Sequence, residues 1–300
     1  MVLIFQSMWV AVSSVWRYLL ILPILTIQIF LCSLIATLIF PFASPFISTA
    51  AVIFSYLIAM RLVLTSLGEG GALQLLYLIW GSVLFGMAQI VILLGAWWSG
   101  LLGLFLADGL TWSEIGGVLD AMLMRGVSYR SDLFSLGAAL FFGLLVIGLI
   151  LANVGLSVPM AGIAWAASEQ KPDVSFFYGF GTRIMTLTVI AVAAMILQIW
   201  FGLWFASLEF FHWLNGAFKS LLSFEKPVPP PSGSVVMLFF KWFANVLLYY
   251  WQAAAAALAF LERYRREATG RVALREDKTV AAEVGARSLR KARDGARAGP

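Results

Sequence analysis

The segment from Ser234 to Leu261 constrains this chain most strongly. It contains 28 residues with a single charge, at Lys241, and three arginines follow it closely: Arg263, Arg265 and Arg266. A helix needs only about 20 residues to cross a hydrocarbon core of about 30 Å. Because basic residues beside a span are retained on the cytoplasmic side, the segment predicts a membrane-spanning helix with its carboxyl end in the cytoplasm.

The composition extends this interpretation to the whole chain. Of the 300 residues, 62% are hydrophobic and 12% are charged, whereas a soluble domain has about 25% charged residues. The pattern predicts an all-α fold, a polytopic transmembrane helix bundle of about six spans with one or two interfacial amphipathic helices. The predicted spans cover residues 18–40, 46–67, 72–106, 133–156, 180–205 and 234–262. The bundle as a whole is then 18–262, between an N-terminal segment 1–17 and a basic tail 263–300.

The first segment, 1–17, is uncharged up to Trp16 and combines polar side chains with boundary aromatics. Gln6, Ser13 and Ser14 interrupt its apolar surface, so we expect an interfacial helix. A cleaved signal peptide has a basic start and a short apolar region, whereas here Arg17 stands between two apolar stretches. We therefore expect the segment to be retained as a signal anchor.

A second amphipathic helix is predicted in the connection 108–132. Apolar residues recur there at helical spacing, from Trp112 to Leu123. Thr111 and Glu114 fit a capping box, in which each side chain satisfies a free amide of the first turn. This pattern is typical of a helix that lies flat on the membrane.

The basic residues of the tail decide the expected orientation and partners. The tail carries a net charge of +6 and the remainder of the chain −1. Such a tail predicts cytoplasmic retention and contact with anionic membrane lipids. No aromatic residue follows Tyr264, so the stacking residues of single-strand binders are missing and we expect no nucleic-acid partner. Six spans place both termini in the cytoplasm, and we expect a bacterial inner membrane.

Three basic residues inside the predicted spans are the candidate ligand-binding residues: Arg61, Arg183 and Lys241. Charged groups inside a membrane are costly and often functional. All three lie within about 9 Å of a span end, however, so their side chains can also snorkel to the interface. If Arg61 and Arg183 face inward, they form a cationic pocket for a lipid phosphate or an anionic solute, with Glu69 as counter-charge.

Two further features concern helix packing. Ser135, Ala139 and Gly143 repeat every four residues, a pattern that lets another helix approach closely. Tyr249, Tyr250 and Trp251 lie deep in the last span, where they either line a polar network or fill helix contacts.

Motifs for catalysis and metal binding are absent from the sequence. It has no glycine-rich phosphate loop, HExxH, GxSxG or CxxC pattern, one cysteine, Cys32, and one histidine, His212. We expect no cofactor and no metal site. With many spans, small loops, a basic tail and no soluble catalytic domain, the chain resembles inner-membrane scaffold components of bacterial multiprotein machines. That resemblance implies a non-enzymatic scaffold or assembly component that packs against membrane-protein partners or itself. The alternative is a transporter or lipid-handling protein that uses the intramembrane arginines.

Overall fold

A computed structural model describes residues 2–39, 41–69, 74–108, 136–167, 176–203 and 235–297, with the single positions 213, 216 and 220. Within this part of the chain the regular structure is helical. The helices are α1 (Val2–Ile39), α2 (Ser44–Ser66), α3 (Leu75–Asp108), α4 (Leu136–Ile150), α5 (Ser157–Ala166), α6 (Ile184–Trp200) and α7 (Val235–Arg297). A 3₁₀ turn (Pro41–Ala43) precedes α2, and a π-helical turn (Leu151–Gly155) joins α4 to α5.

The lengths and compositions of these helices confirm a helical membrane bundle. Five stretches are long and apolar enough to span a membrane: Val2–Ile39, Ser44–Ser66, Leu75–Leu106, Ala139–Ala166 and Phe239–Thr269. The fourth stretch runs through α4, the π turn and α5. Helix α6 is apolar but shorter, with 17 residues, or about 25 Å of helix.

Helix α2 occupies the centre of the bundle. It contacts α1, α3, α5 and α7, while α4 packs on α3 and α6 packs on α7. Helices α1 and α7 run antiparallel, since Leu3 lies beside Leu258 and Leu261 at one end of the bundle and Tyr18 contacts Tyr250 farther in. The start of α1 and the charged end of the apolar part of α7 therefore lie on the same side.

The predicted boundary at Arg17 lies inside α1, which is one continuous helix through segment 1–17 and the first span. Of the polar residues that suggested a water-facing surface, Gln6 and Ser13 are exposed, whereas Ser14 turns toward the bundle. Ser7 and Ser14 are buried and hydrogen-bond to the side chains of Trp251 and Tyr250. Pro23 lies within the same helix and does not end it.

Two other long segments are also continuous. Helix α3 has 34 residues and no break at Gly95, and α7 continues from the membrane-spanning segment through the basic tail to Arg297. The predicted amphipathic helix after Asp108 lies outside the described residues.

Small residues pack α3 against α4. A Cβ atom at Gly148 would overlap the Cβ of Ala96, and one at Gly100 would lie 2.7 Å from Cδ2 of Phe141. The predicted packing residues Ala139 and Gly143 are exposed instead, and a Cβ at Gly143 would meet no atom within 4 Å. Ser135 lies outside the described residues. The close contact within the chain thus uses the other face of α4.

Gly148→Ala is expected to destabilise the protein, because the added methyl group forces α3 and α4 apart. Overpacking of this kind costs about 1–3 kcal/mol. Thermal unfolding of the detergent-purified protein measures the effect. Gly143→Ala is the matched control and should leave the unfolding midpoint unchanged or slightly raised. Equal midpoints for the two variants would contradict this packing.

Candidate functional site

Arg61 caps the carboxyl end of α5. Its side chain is 4% exposed, and its Nη1 donates to the carbonyl oxygens of Ala164 at 3.2 Å and Trp165 at 3.5 Å. The last carbonyls of a helix have no intrahelical donor and carry partial negative charge. The amide of Gln74 donates to the carbonyl of Ala167 at 3.3 Å. Arg61 therefore contacts protein instead of snorkelling to lipid headgroups.

Trp165 connects this cap to α7. Its ring packs on Tyr264, with the ring centroids 4.5 Å apart, and on Phe260 at 5.6 Å. Its Nε1 makes a long hydrogen bond, 3.5 Å, to Oε2 of Glu69. The other oxygen of Glu69 accepts from Nη2 of Arg265 at 3.0 Å. One tryptophan and one carboxylate thus link the ends of α2 and α5 to the middle of α7.

Glu262 joins the start of α6 to α7. Its Oε1 accepts from Nη2 of Arg183 at 2.6 Å and from Nη2 of Arg266 at 2.5 Å. Arg183 precedes α6 with φ 56°, a left-handed conformation that is unusual for a residue other than glycine. The hydrogen bond and the charge of Glu262 raise the pKa of Arg183 above its ordinary value. Arg183 is 43% exposed, so this pair contributes modestly to stability.

A third connection involves Arg263. Its Nε donates to Oε1 of Glu267 at 2.9 Å, and its Nη1 donates to Oγ1 of Thr182 at 2.6 Å. Its guanidinium also lies 5.1 Å from the centroid of the Tyr178 ring, and the Tyr178 hydroxyl donates to Oε2 of Glu267 at 2.8 Å. Burial, together with the hydrogen bond to Glu267, raises the pKa of Tyr178 to about 12. Tyr178 and Thr182 precede α6, so these contacts fix its start against α7.

We call these eight charged residues the arginine cluster: Arg61, Arg183, Arg263, Arg265, Arg266, Glu69, Glu262 and Glu267. The cluster has a formal charge of +2. Arg61 and Arg183 both belong to it, at one end of the bundle, but they bind different groups. Arg61 binds carbonyl oxygens of α5, and Arg183 binds Glu262. The cluster is mainly a clamp that holds the helix ends together.

A cavity of about 800 Å³ opens between α1, α2 and α7 beside the cluster. Its lining includes leucines from all three helices and two exposed arginines: Leu3, Leu67, Leu258, Leu261, Arg265 and Arg266. Arg61 and Arg183 do not line it. An apolar floor beside guanidinium groups is chemically suited to an amphiphile with an anionic head group.

Lys241, the third basic candidate, lies elsewhere. It is half-buried near the other end of the apolar part of α7. Within the described residues it makes no hydrogen bond or ion pair that ties it to the arginine cluster.

A polar seam runs between α1, α2 and α7 in the interior. Tyr18 shares a hydrogen bond of 2.9 Å with Ser55, and Ser14 shares one of 3.2 Å with Tyr250. Trp251 donates from Nε1 to Ser7 at 2.9 Å. Tyr250 and Trp251 therefore line a polar network, as one of the two alternatives from the sequence predicted. Tyr249 fills helix contacts, since it packs on the rings of Tyr18 and Tyr56.

One polar pair faces outward instead. Nε2 of Gln89 donates to Oδ1 of Asn153 at 2.7 Å, and Asn153 is exposed within the π turn. Asn153 is about 20 Å along the helix from either end of the apolar stretch Ala139–Ala166. The sequence pattern did not single out this pair. The sequence does contain a signal for it, since Gln89 and Asn153 are each a single side-chain amide in the middle of an apolar stretch.

Arg61→Met is expected to lower the stability of the purified protein by about 1–3 kcal/mol, since buried carbonyls at the end of α5 lose their donor. Arg183→Gln serves as the comparison and should cost less than about 1 kcal/mol, because its ion pair is half-exposed. Chemical or thermal unfolding in detergent measures both. A larger loss for Arg183→Gln would contradict the assigned roles.

The chain matches no protein-family model, no curated protein and no solved structure. Function is therefore inferred from the geometry of this chain alone.

Proposed function

We propose that the protein is a non-enzymatic scaffold or assembly component of a membrane complex. Its partners would be other membrane proteins, bound through the lipid-facing surface of the bundle. We further propose that it resides in a bacterial inner membrane with both termini in the cytoplasm. The arginine cluster would then lie at the cytoplasmic surface, as the distribution of basic residues favours.

The observation that carries this proposal is the outward-facing pair of Gln89 and Asn153. Side-chain amides at mid-membrane depth are costly against lipid and commonly bind polar groups of a neighbouring helix. Nε2 of Gln89 donates to Oδ1 of Asn153, and Nδ2 of Asn153 donates to the carbonyl of Leu149 at 2.9 Å. One amide hydrogen of each residue and Oε1 of Gln89 are left for another chain. The π turn supports the same interpretation, since such turns often occur at functional sites.

The surface beside this pair is suitable for helix contact. Ala139 and Gly143 are exposed on α4, and Val146, also exposed, follows at helical spacing. Small side chains in such a row let a second helix approach closely. We name the surface formed by Gln89, Ala139, Gly143, Val146 and Asn153 the α3–α4 face.

The alternative is a transporter or lipid-handling protein based on Arg61 and Arg183. It has less support, because both guanidinium groups bind protein groups and neither lines the described cavity. The cavity beside Arg265 and Arg266 favours lipid binding for structural support and not lipid transport. We propose that an anionic membrane lipid occupies it as a structural partner, with its phosphate at the arginines.

Photo-cross-linking in native membranes tests the assembly role. A photoreactive amino acid at Val146, on the α3–α4 face, should give discrete protein adducts, because a partner helix is expected within reach. Val189 on α6 is the matched control, with a similar exposure of 56% against 54%, and should give lipid adducts only.

The partner should also depend on the amides. Combining Gln89→Leu with Asn153→Leu should reduce adduct formation at Val146 about fivefold or more, the effect of losing one or two interhelical hydrogen bonds. If the yield of adducts is unchanged, the amide pair does not take part in the interface. No protein adduct at Val146 would count against the scaffold role itself.

The proposed orientation makes a separate prediction. Fusions after residue 300 of a reporter that is active only in the cytoplasm should be active, and fusions of a reporter that requires export should be inactive. Neutralising Arg263, Arg265 and Arg266 together is expected to weaken this bias, since positive charges near a span end fix its sidedness. A periplasmic carboxyl end would contradict the proposed topology.

A further inference from the structure

Arg17 lies in the middle of a membrane-spanning helix, whereas the sequence suggested that it flanks one. Its neighbour Tyr18 hydrogen-bonds to Ser55, the central residue of α2. Tyr18 also packs against Tyr250, with the ring centroids 5.3 Å apart. Both contacts place Arg17 near the mid-depth of the bundle.

The helical rise gives the same depth. Tyr250 is twelve residues before Glu262 and nine residues after Lys241, or about 18 Å and about 14 Å along α7. Glu262 belongs to the arginine cluster at one end of the bundle, and Lys241 lies near the other end. An arginine side chain at the level of Tyr250 is too short to reach either interface unless the bilayer thins locally.

Arg17 lies between the interior polar seam and the outer surface of α1. Its charge acts on the buried hydroxyl of Tyr250, while the side chains beside it on α1 are apolar and exposed. Its guanidinium lies 5.4 Å from the centroid of the Trp16 ring, and Trp16 is 54% exposed. Leu20, one turn farther along the helix, is 69% exposed. Arg17 itself is half-buried, so part of it is accessible from the lipid side of α1. Among the described residues it makes no ion pair with a carboxylate.

The spanning helices that the structure describes do not provide that carboxylate. The stretches 2–39, 44–66, 75–106, 139–166, 184–200 and 235–261 contain no aspartate or glutamate. A second copy would present the same described helices, which also lack an acid at this depth. The described helices of either copy therefore leave the counter-charge to a different protein.

We propose that the exposed surface of α1 around Arg17, Trp16 and Leu20 binds a membrane-spanning helix of another protein that carries an aspartate or glutamate near its centre. This inference rests on the proposed scaffold role and specifies the chemistry of one partner. An ion pair in hydrocarbon compensates the cost of burying each charge and selects against helices without an acid. The site lies on α1 and is separate from the α3–α4 face.

The test uses a defined probe. The purified protein is placed in phosphatidylcholine nanodiscs with a labelled leucine- and alanine-rich transmembrane peptide that has one central aspartate. An otherwise identical peptide has leucine at that position. Resonance energy transfer measures association. The aspartate peptide should bind the wild-type protein about tenfold more tightly than the leucine peptide.

Variants assign the effect to Arg17. Arg17→Leu should reduce the preference for the aspartate peptide to less than about twofold, whereas Arg17→Lys should retain most of it, because the charge is kept. Lys241→Leu removes the same charge at a shallower position and should leave the preference unchanged. Thermal unfolding of each variant verifies that the bundle is intact.

Two results would overturn the proposal. One is equal binding of both peptides to the wild-type protein. The other concerns the Arg17→Leu variant: it binds anionic lipid less than the wild-type protein does but binds the aspartate peptide equally well. That result would make a lipid phosphate the partner. If either result occurs while protein adducts at Val146 persist, the scaffold role stands and only the acidic partner of Arg17 is contradicted. If adducts at Val146 are absent while the peptide preference persists, the scaffold role through the α3–α4 face is contradicted and the Arg17 site stands.

Discussion

The hydrogen bonds from Arg61 to the end of α5 are the interaction on which the arrangement of the helices depends. All ten residues of α5 are buried, so its last carbonyl groups have no access to water. An unpaired polar group in such surroundings costs several kcal/mol. Arg61 supplies donors from the central helix α2, and its own charge is balanced by the negative end of the helix dipole. The pairing fixes where α5 ends relative to α2.

The contacts around this cap show how one pairing positions further helices. Trp165, whose carbonyl Arg61 binds, packs on Phe260 and Tyr264 of α7. The alanines Ala253–Ala257, all buried, let the preceding part of α7 approach its neighbours closely. One ion pair and two hydrogen bonds then hold the segment before α6 against the same region of α7. The basic residues that the sequence assigns to membrane orientation therefore also determine tertiary structure.

Hydropathy alone predicts the class of fold and most of the spanning segments, since each must bury its backbone hydrogen bonds within one helix. It does not predict which face of a helix meets which neighbour. Gly143 and Gly148 both belong to α4, but only Gly148 contacts α3, and the sequence offers no rule for choosing between them. The polar residues of α1 show the same limit: Ser14 binds Tyr250 of α7, whereas Ser13 beside it is exposed.

The candidate site shows the same limit. The positions of Arg61 and Arg183 near one end of the bundle follow from their places in the predicted spans. Their partners, the carbonyls of α5 and Glu262, depend on how distant segments pack. The outward direction of Asn153 and Gln89 could not be predicted from the sequence either, because a single amide in an apolar stretch is equally compatible with an internal contact. Gln198 and Asn245 illustrate this, since they form a similar bond of 2.8 Å in a half-buried position.

The two outward-facing polar features make different demands on what binds them. The amides of Gln89 and Asn153 can donate and accept, so a second copy of the chain satisfies them as well as another protein does. Arg17 can only donate and carries a full charge, and none of the described spanning helices has an acid to meet it. Helix α1 packs on α2 and α7, whereas α4 packs on α3, so the two features belong to different parts of the surface. The two surfaces as we propose them, one open to self-association and the other selective for a foreign acidic helix, would suit a heteromeric assembly.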